Sequence, residues 1–236
     1  MEIFSLPWWS ALLAIVLIDL VLAGDNAIVI ALAARNLPQH LQKKAIVWGT
    51  LGAIVIRSSM TVGVVWLLKI PGLMLVGGLG LLWIAYQLLT DNSQENHGDV
   101  KVHSFWSAMR TIIVADALMG IDNVLGVAGA AQGAFDLVIL GLLISIPIVV
   151  FGSQFVLKLV ERWSFIIQIG AGVLAFTAAQ MIVQEPFLDP IFDGSGYIHD
   201  VSKWATYSLC IAGVLLLGWF TNKRQNSESS TQTIST

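Results

Sequence analysis

The stretch DLVLAGDNAIVIALAA, residues 19–34, sets two aspartates and an asparagine inside an apolar run, and DALMGIDNVLGVAGAA, residues 116–131, does so again. The shared pattern is Asp, five residues, Asp-Asn, then small or apolar residues to a closing Ala-Ala, with the copies 97 positions apart. Two further segments match, GGLGLLWIAYQ (77–87) and GAGVLAFTAAQ (170–180), at an offset of 93. Self-similarity on this scale describes a unit used twice.

Composition fixes the solvent of that unit. The 236 residues are 56% hydrophobic and 11% charged, with 21 glycines and 9 tryptophans; mean hydropathy is +0.80. Soluble domains carry about 25% charged residues, and a soluble surface this apolar would be one large patch. A soluble globular domain, a disordered chain and a nucleic-acid binder are therefore excluded. The lone cysteine, Cys210, permits neither an intramolecular disulfide nor a CxxC metal site.

Apolar runs predict spanning helices near 8–34, 45–68, 70–90, 107–131, 135–157, 163–183 and 204–222, each about 18 residues or longer. The first is not a cleaved signal peptide, because Met-Glu-Ile-Phe-Ser offers no basic n-region. Tryptophans at run ends (Trp8, Trp9, Trp66, Trp106, Trp163, Trp204, Trp219) suit interface anchors. The expected fold is an all-α membrane protein of seven transmembrane helices. A three-helix repeat (1–90) and a cytoplasmic linker (91–106) precede a second repeat (107–183). An external acidic loop (184–203), a seventh helix (204–222) and a disordered cytoplasmic tail (223–236) follow. Three helices is an odd number, so the second copy enters the membrane upside down, the arrangement of many secondary transporters.

With the N-terminus outside and the C-terminus inside, the inner segments hold Arg35, Lys43, Lys44, Lys101, Arg110, Lys158, Arg162, Lys223 and Arg224, and the outer ones only Lys69 and Lys203. That bias satisfies the positive-inside rule. The linker, with Asp91, Glu95, His97, Asp99 and His103, and the external loop, with Glu185, Asp189, Asp193 and Asp200, read as solvated connections. Clustered carboxylates without fixed geometry are a weak cation signal.

Carboxylates inside spanning helices are costly and point to function. Asp19 and Asn26 share one face of an ideal helix, while Asp25 lies about 120° away. Both aspartates reach one point only if the helix unwinds or if facing helices supply different ones. Gly24 and Gly120 invite unwinding, and freed carbonyls can ligate cations. Asp19, Asp25, Asn26, Asp116, Asp122 and Asn123 then offer an all-oxygen set near the midplane, suited to Mn²⁺, Mg²⁺ or Ca²⁺. Zinc and copper usually recruit His or Cys. The alternative is that the carboxylates are protonated and only bind neighbouring helices together.

Arg57 falls mid-span, where it pairs with one of the aspartates or bonds backbone carbonyls. Gln87 and Gln180 occupy matching positions and line the pathway or serve packing. Asn36, Ser58, Ser59, Ser153 and Gln154 are weaker candidates, and His40, His97, His103 and His199 fall in loops.

Through LAGDNAIVIALAAR (22–35) and ADALMGIDNVLGVAGAA (115–131) the chain resembles the TerC family of integral membrane proteins, in its shorter seven-helix form, across 8–222. The resemblance implies metal-site roles for Asp19, Asp25, Asn26, Asp116, Asp122 and Asn123, and export of a divalent metal, chiefly Mn²⁺, across a bacterial cytoplasmic membrane. The metal is transported substrate, and no prosthetic cofactor is expected. The first copy reads Gly-Asp-Asn and the second Ile-Asp-Asn, so the half-sites need not be equivalent. The expected partners are the lipid bilayer and the cation, with a homo-oligomer allowed. The competing readings are a non-transporting membrane factor for metal loading or assembly, and an intramembrane aspartyl protease. Leu22-Ala-Gly-Asp25 lacks the leading glycine of a Gly-x-Gly-Asp protease signature, so a non-enzymatic protein is expected.

Overall fold

A computed structural model describes residues 5–67, 70–91, 100–131, 134–193 and 197–233. Among them the only regular secondary structure is helical. The seven long helices are α1 (Leu6–Ala34), α2 (Gln39–Val62), α3 (Leu73–Thr90), α4 (Val100–Ala131), α5 (Phe135–Arg162), α6 (Phe165–Val183) and α7 (Tyr197–Thr233). Short turns fill Val64–Leu67, Pro186–Leu188 and Asp189–Phe192.

Local chemistry sets the ends. Ser5 caps α1 by accepting from the Trp8 N–H at 3.4 Å, with Pro7 in the first turn. Pro38 precedes α2, and Gly63 ends it. Gly72, at φ 80°, turns the chain into α3, a conformation that favours glycine. Several helices outrun their apolar cores. α4 starts at Val100 rather than 107, and α5 reaches Arg162 rather than 157. α7 runs from Tyr197 to Thr233, so much of the expected disordered tail is helical. No glycine or proline follows Gly218, and Lys, Arg, Gln and Glu sustain a helix once it has started. Residues 92–99 of the linker lie outside the described residues, His97 among them.

Among the described residues six helices are long and apolar enough to cross a membrane: Leu6–Ala34, Gln39–Val62, Leu73–Thr90, Asp136–Arg162, Phe165–Val183 and Tyr197–Arg224. The sequence predicts seven. The seventh long helix, α4, carries the second acidic motif with Asp116 and Asp122, as α1 carries the first with Asp19 and Asp25. Val21, Phe151 and Leu209 are more than 70% exposed, an outward apolar surface suited to lipid.

α1 packs along α5 and α4, α2 along α4 and α5, and α3 against α6, with α7 laid over α3 and α6. Exchanging α1, α2 and α3 for α4, α5 and α6 maps this neighbour set onto itself. The close approaches follow the same exchange. A Cβ on Gly49 of α2 would lie 2.9 Å from Ile112 of α4, and one on Gly141 of α5 would lie 2.5 Å from Ile15 of α1. Small residues at helix crossings bring backbones together where lipid removes the hydrophobic drive to associate. Ile15 and Ile112 are separated by 97 positions, the offset of the acidic motifs.

α1 and α4 pass through Gly24 and Gly120 as unbroken helix, so of the two alternatives it is the facing helices, not unwinding, that bring aspartates together. A glycine weakens a helix by about 1 kcal/mol, less than the several kcal/mol for each backbone group left unpaired in lipid.

Candidate metal centre

Asp19 lies midway along α1 and Asp116 midway along α4, both buried. Arg57 of α2 joins them. Its Nη1 donates to Asp19 Oδ1 and its Nη2 to Asp116 Oδ1. One guanidinium thus bridges the leading aspartates of the two motifs. With all three ionised the cluster carries one net negative charge. Removing such charges from water is costly, and fixed geometry with complete hydrogen bonding is what offsets it.

The cluster borders a cavity of about 20 Å³, close to the space one water needs, roughly 10–15 Å³. Asp19, Asn26 and Ile30 enter from α1 and Asp116 from α4. Thr50, Ala53, Ile54 and Arg57 form one wall from α2; Leu142, Ser145, Ile146 and Val149 form the other from α5. Each residue of the first wall precedes its counterpart in the second by 92 positions. The cavity therefore lies where the halves meet, and its asymmetries are Arg57 against Val149, Thr50 against Leu142, and Asn26 and Ile30, whose α4 counterparts do not line it.

Three oxygens and one nitrogen on this cavity's lining residues are buried without a partner: Asn26 Oδ1, Thr50 Oγ1, Asp116 Oδ2 and Arg57 Nε. Unsatisfied buried polar atoms are rare and call for an explanation. Oxygens left unpartnered beside a carboxylate pair suit a hard cation. The Ser145 hydroxyl is committed elsewhere, donating to the Gly141 carbonyl at 3.0 Å.

The remaining candidates separate. Asp25 leaves the cavity and accepts from Thr177 Oγ1 of α6 at 3.2 Å, as an unbroken α1 requires. Asn123 is half-buried on α4 and is not among the cavity's lining residues. The Asp122 side chain lies outside the described residues. Among those described, no three His, Cys, Asp or Glu side chains converge, and the described carboxylates that line the cavity are Asp19 and Asp116. Gln87 is exposed on a groove between α3 and α4, and Gln180 is half-buried away from the cavity. Asn36 Nδ2 and Arg35 Nη2 both donate to the Asp91 carbonyl at 3.0 Å, tying the end of α1 to the end of α3. Thr50, Ile54 and Ile146 were not legible as site residues, because nothing in an apolar run distinguishes them before the helices are packed.

A third buried carboxylate stands at the start of α3, away from the cavity. Glu185, 2% exposed, accepts from the N–H groups of Gly72, Met74 and Leu75 at 2.9, 3.0 and 3.2 Å. Burial alone would raise its carboxyl, but these N–H groups and that of Phe187 together hold it below the ordinary glutamate range. It is a helix cap supplied from a distant loop.

Comparison with known proteins agrees with the membrane reading. The family model described as "Integral membrane protein TerC family" matches residues 4–226. The chain is 44% identical to "Uncharacterized membrane protein YjbE" of Bacillus subtilis, over 85% of this chain and 92% of that protein. It is 24% identical to "Uncharacterized membrane protein YkoY" of the same organism, covering 91% and 72% respectively. Against "UPF0053 inner membrane protein YgdQ" of Escherichia coli it is 23% identical, covering 75% and 81%. No solved structure matches.

Proposed function

The chain belongs to the TerC family of multi-pass integral membrane proteins, and from that premise we propose that it exports a divalent metal cation through the Asp19–Asp116 cavity. The observation that carries this reading is the buried carboxylate pair, held at the meeting of two matching halves beside unpartnered oxygens. Asp19, Asp116, Asn26 and Thr50 are the ligand candidates, and all are oxygen donors. These donors support a hard cation; manganese follows from the family resemblance. The symmetric cavity walls support reading α1–α3 and α4–α6 as inverted repeats, with α4 as a spanning helix and α7 appended. The basic residues support an outside N-terminus and an inside C-terminus. No enzymatic step is assigned.

Arg57 acts as an internal counterion. A divalent cation neutralises both carboxylates, so cation and guanidinium compete for the same oxygens. Release of metal then restores the Arg57 bridge, and the protein need not leave two bare carboxylates in lipid. The test is efflux of Mn²⁺ from vesicles holding purified protein. Wild type should move the ion, while Asp116→Asn should not. Absence of flux with tight metal binding would favour a metal-loading factor over a transporter.

A further inference from the structure

A groove of about 300 Å³ lies between α3 and α4, apart from the metal cavity. Ser107, Arg110, Thr111 and Val114 form one stripe along α4, at helical spacings of three and four. Trp83 and Gln87, one turn apart, face them from α3. The groove opens toward lipid, for Trp83 is 66% and Val114 41% exposed. Gln87 sits three residues, about 4.5 Å, below the end of α3 at Thr90, and Trp83 about 10 Å below it. Polar groups therefore occupy the level of headgroups, and apolar ones the level where acyl chains begin.

Arg110 is the unexplained member. It is exposed, and among the described residues no carboxylate pairs with it. A guanidinium on a bundle's lipid-facing side needs an anion or water at its own depth. Its neighbours are two hydroxyls and an amide, all donors to phosphate oxygens. Arg is suited to phosphate, which it can hold through two parallel N–H bonds.

We propose that this groove binds the phosphodiester headgroup of an anionic phospholipid, with Arg110 on the phosphate and an acyl chain along Trp83 and Val114. Basic pockets between spanning helices recognise lipid headgroups in this way. The proposal is independent of the transported ion.

The test is native mass spectrometry of the purified protein in detergent, titrated with phosphatidylglycerol and, separately, phosphatidylcholine. Wild type should retain phosphatidylglycerol preferentially. Arg110→Gln should weaken that binding about fivefold, while Lys43→Gln, another basic residue near the polar boundary, should not. Ser107→Ala with Thr111→Val keeps the charge and should lose about twofold, which preserves the test if Arg110→Gln does not fold. Equal retention of the two lipids, or unchanged binding in the groove variants, would overturn the proposal. Displacement of the lipid by inorganic phosphate would instead assign the groove to the free anion and reject the lipid.

Discussion

Val149 stands in α5 where Arg57 stands in α2, 92 positions later and on the facing wall of the same cavity. One arginine therefore serves two carboxylates. Removing either aspartate leaves a paired charge behind, whereas removing the arginine leaves two buried anions without a counterion.

Asp19→Asn and Asp116→Asn should each fold, since Arg57 keeps one partner, and each should weaken Mn²⁺ binding at least about tenfold by deleting a charged ligand. Asp25→Asn should weaken it less, because Asp25 turns toward Thr177. Isothermal titration of the purified variants checks the order. Equal losses at Asp19 and Asp25 would show that binding draws on both faces of α1.

Arg57→Gln should have opposite effects on stability and affinity. Losing the shared partner of a buried cluster costs on the order of 3–5 kcal/mol, so the melting temperature should fall. Mn²⁺ should nonetheless bind at least about tenfold tighter in alkali, where no proton replaces the absent guanidinium. Binding measured from about pH 6 to about pH 9 reads this out. Superimposable wild-type and variant curves would show that Arg57 only packs helices.

Glu185→Gln should destabilise the protein by about 1–2 kcal/mol at neutral pH, through loss of a charged cap on α3. The folded carboxyl lies below its ordinary value, so its contribution is complete above about pH 4.3. It is lost as pH falls through the lowered folded value. Wild-type and variant melting temperatures should thus differ at neutral pH and converge in acid. A constant gap across the range would assign the effect to packing.

Gly49→Ala and Gly141→Ala should have matching effects, each lowering stability by about 1–3 kcal/mol as the new methyl meets Ile112 or Ile15. Thermal melts of the detergent-solubilised protein test this. If only one variant is destabilised, the two crossings are not energetically equivalent.

The helices were legible because apolar runs of spanning length leave few alternatives. Asp19 and Asn26 could be set on one face from the helical period alone. The structure makes that period decisive for Asp25 as well, since α1 does not unwind. The partner of Asp25 was not legible, because Thr177 follows it by 152 positions and only packing brings α6 there. Glu185 read as one acidic loop residue among several. Its role depends on N–H groups more than 100 positions away that become unpaired only when α3 starts at Gly72.

Because α1 and α4 are continuous, their carbonyls are already spent within the helices. The cavity would therefore coordinate an ion through side chains, and with one oxygen from each, Asp19, Asp116, Asn26 and Thr50 give four of the six that a magnesium ion prefers. The balance must be carried in as water. On the proposed export, an ion would cross partly hydrated, and the ease with which it sheds only some of its shell would become a basis for discrimination. A cavity of about 20 Å³ cannot hold such an assembly, so under that proposal its walls would have to widen and the Arg57 side chain to withdraw.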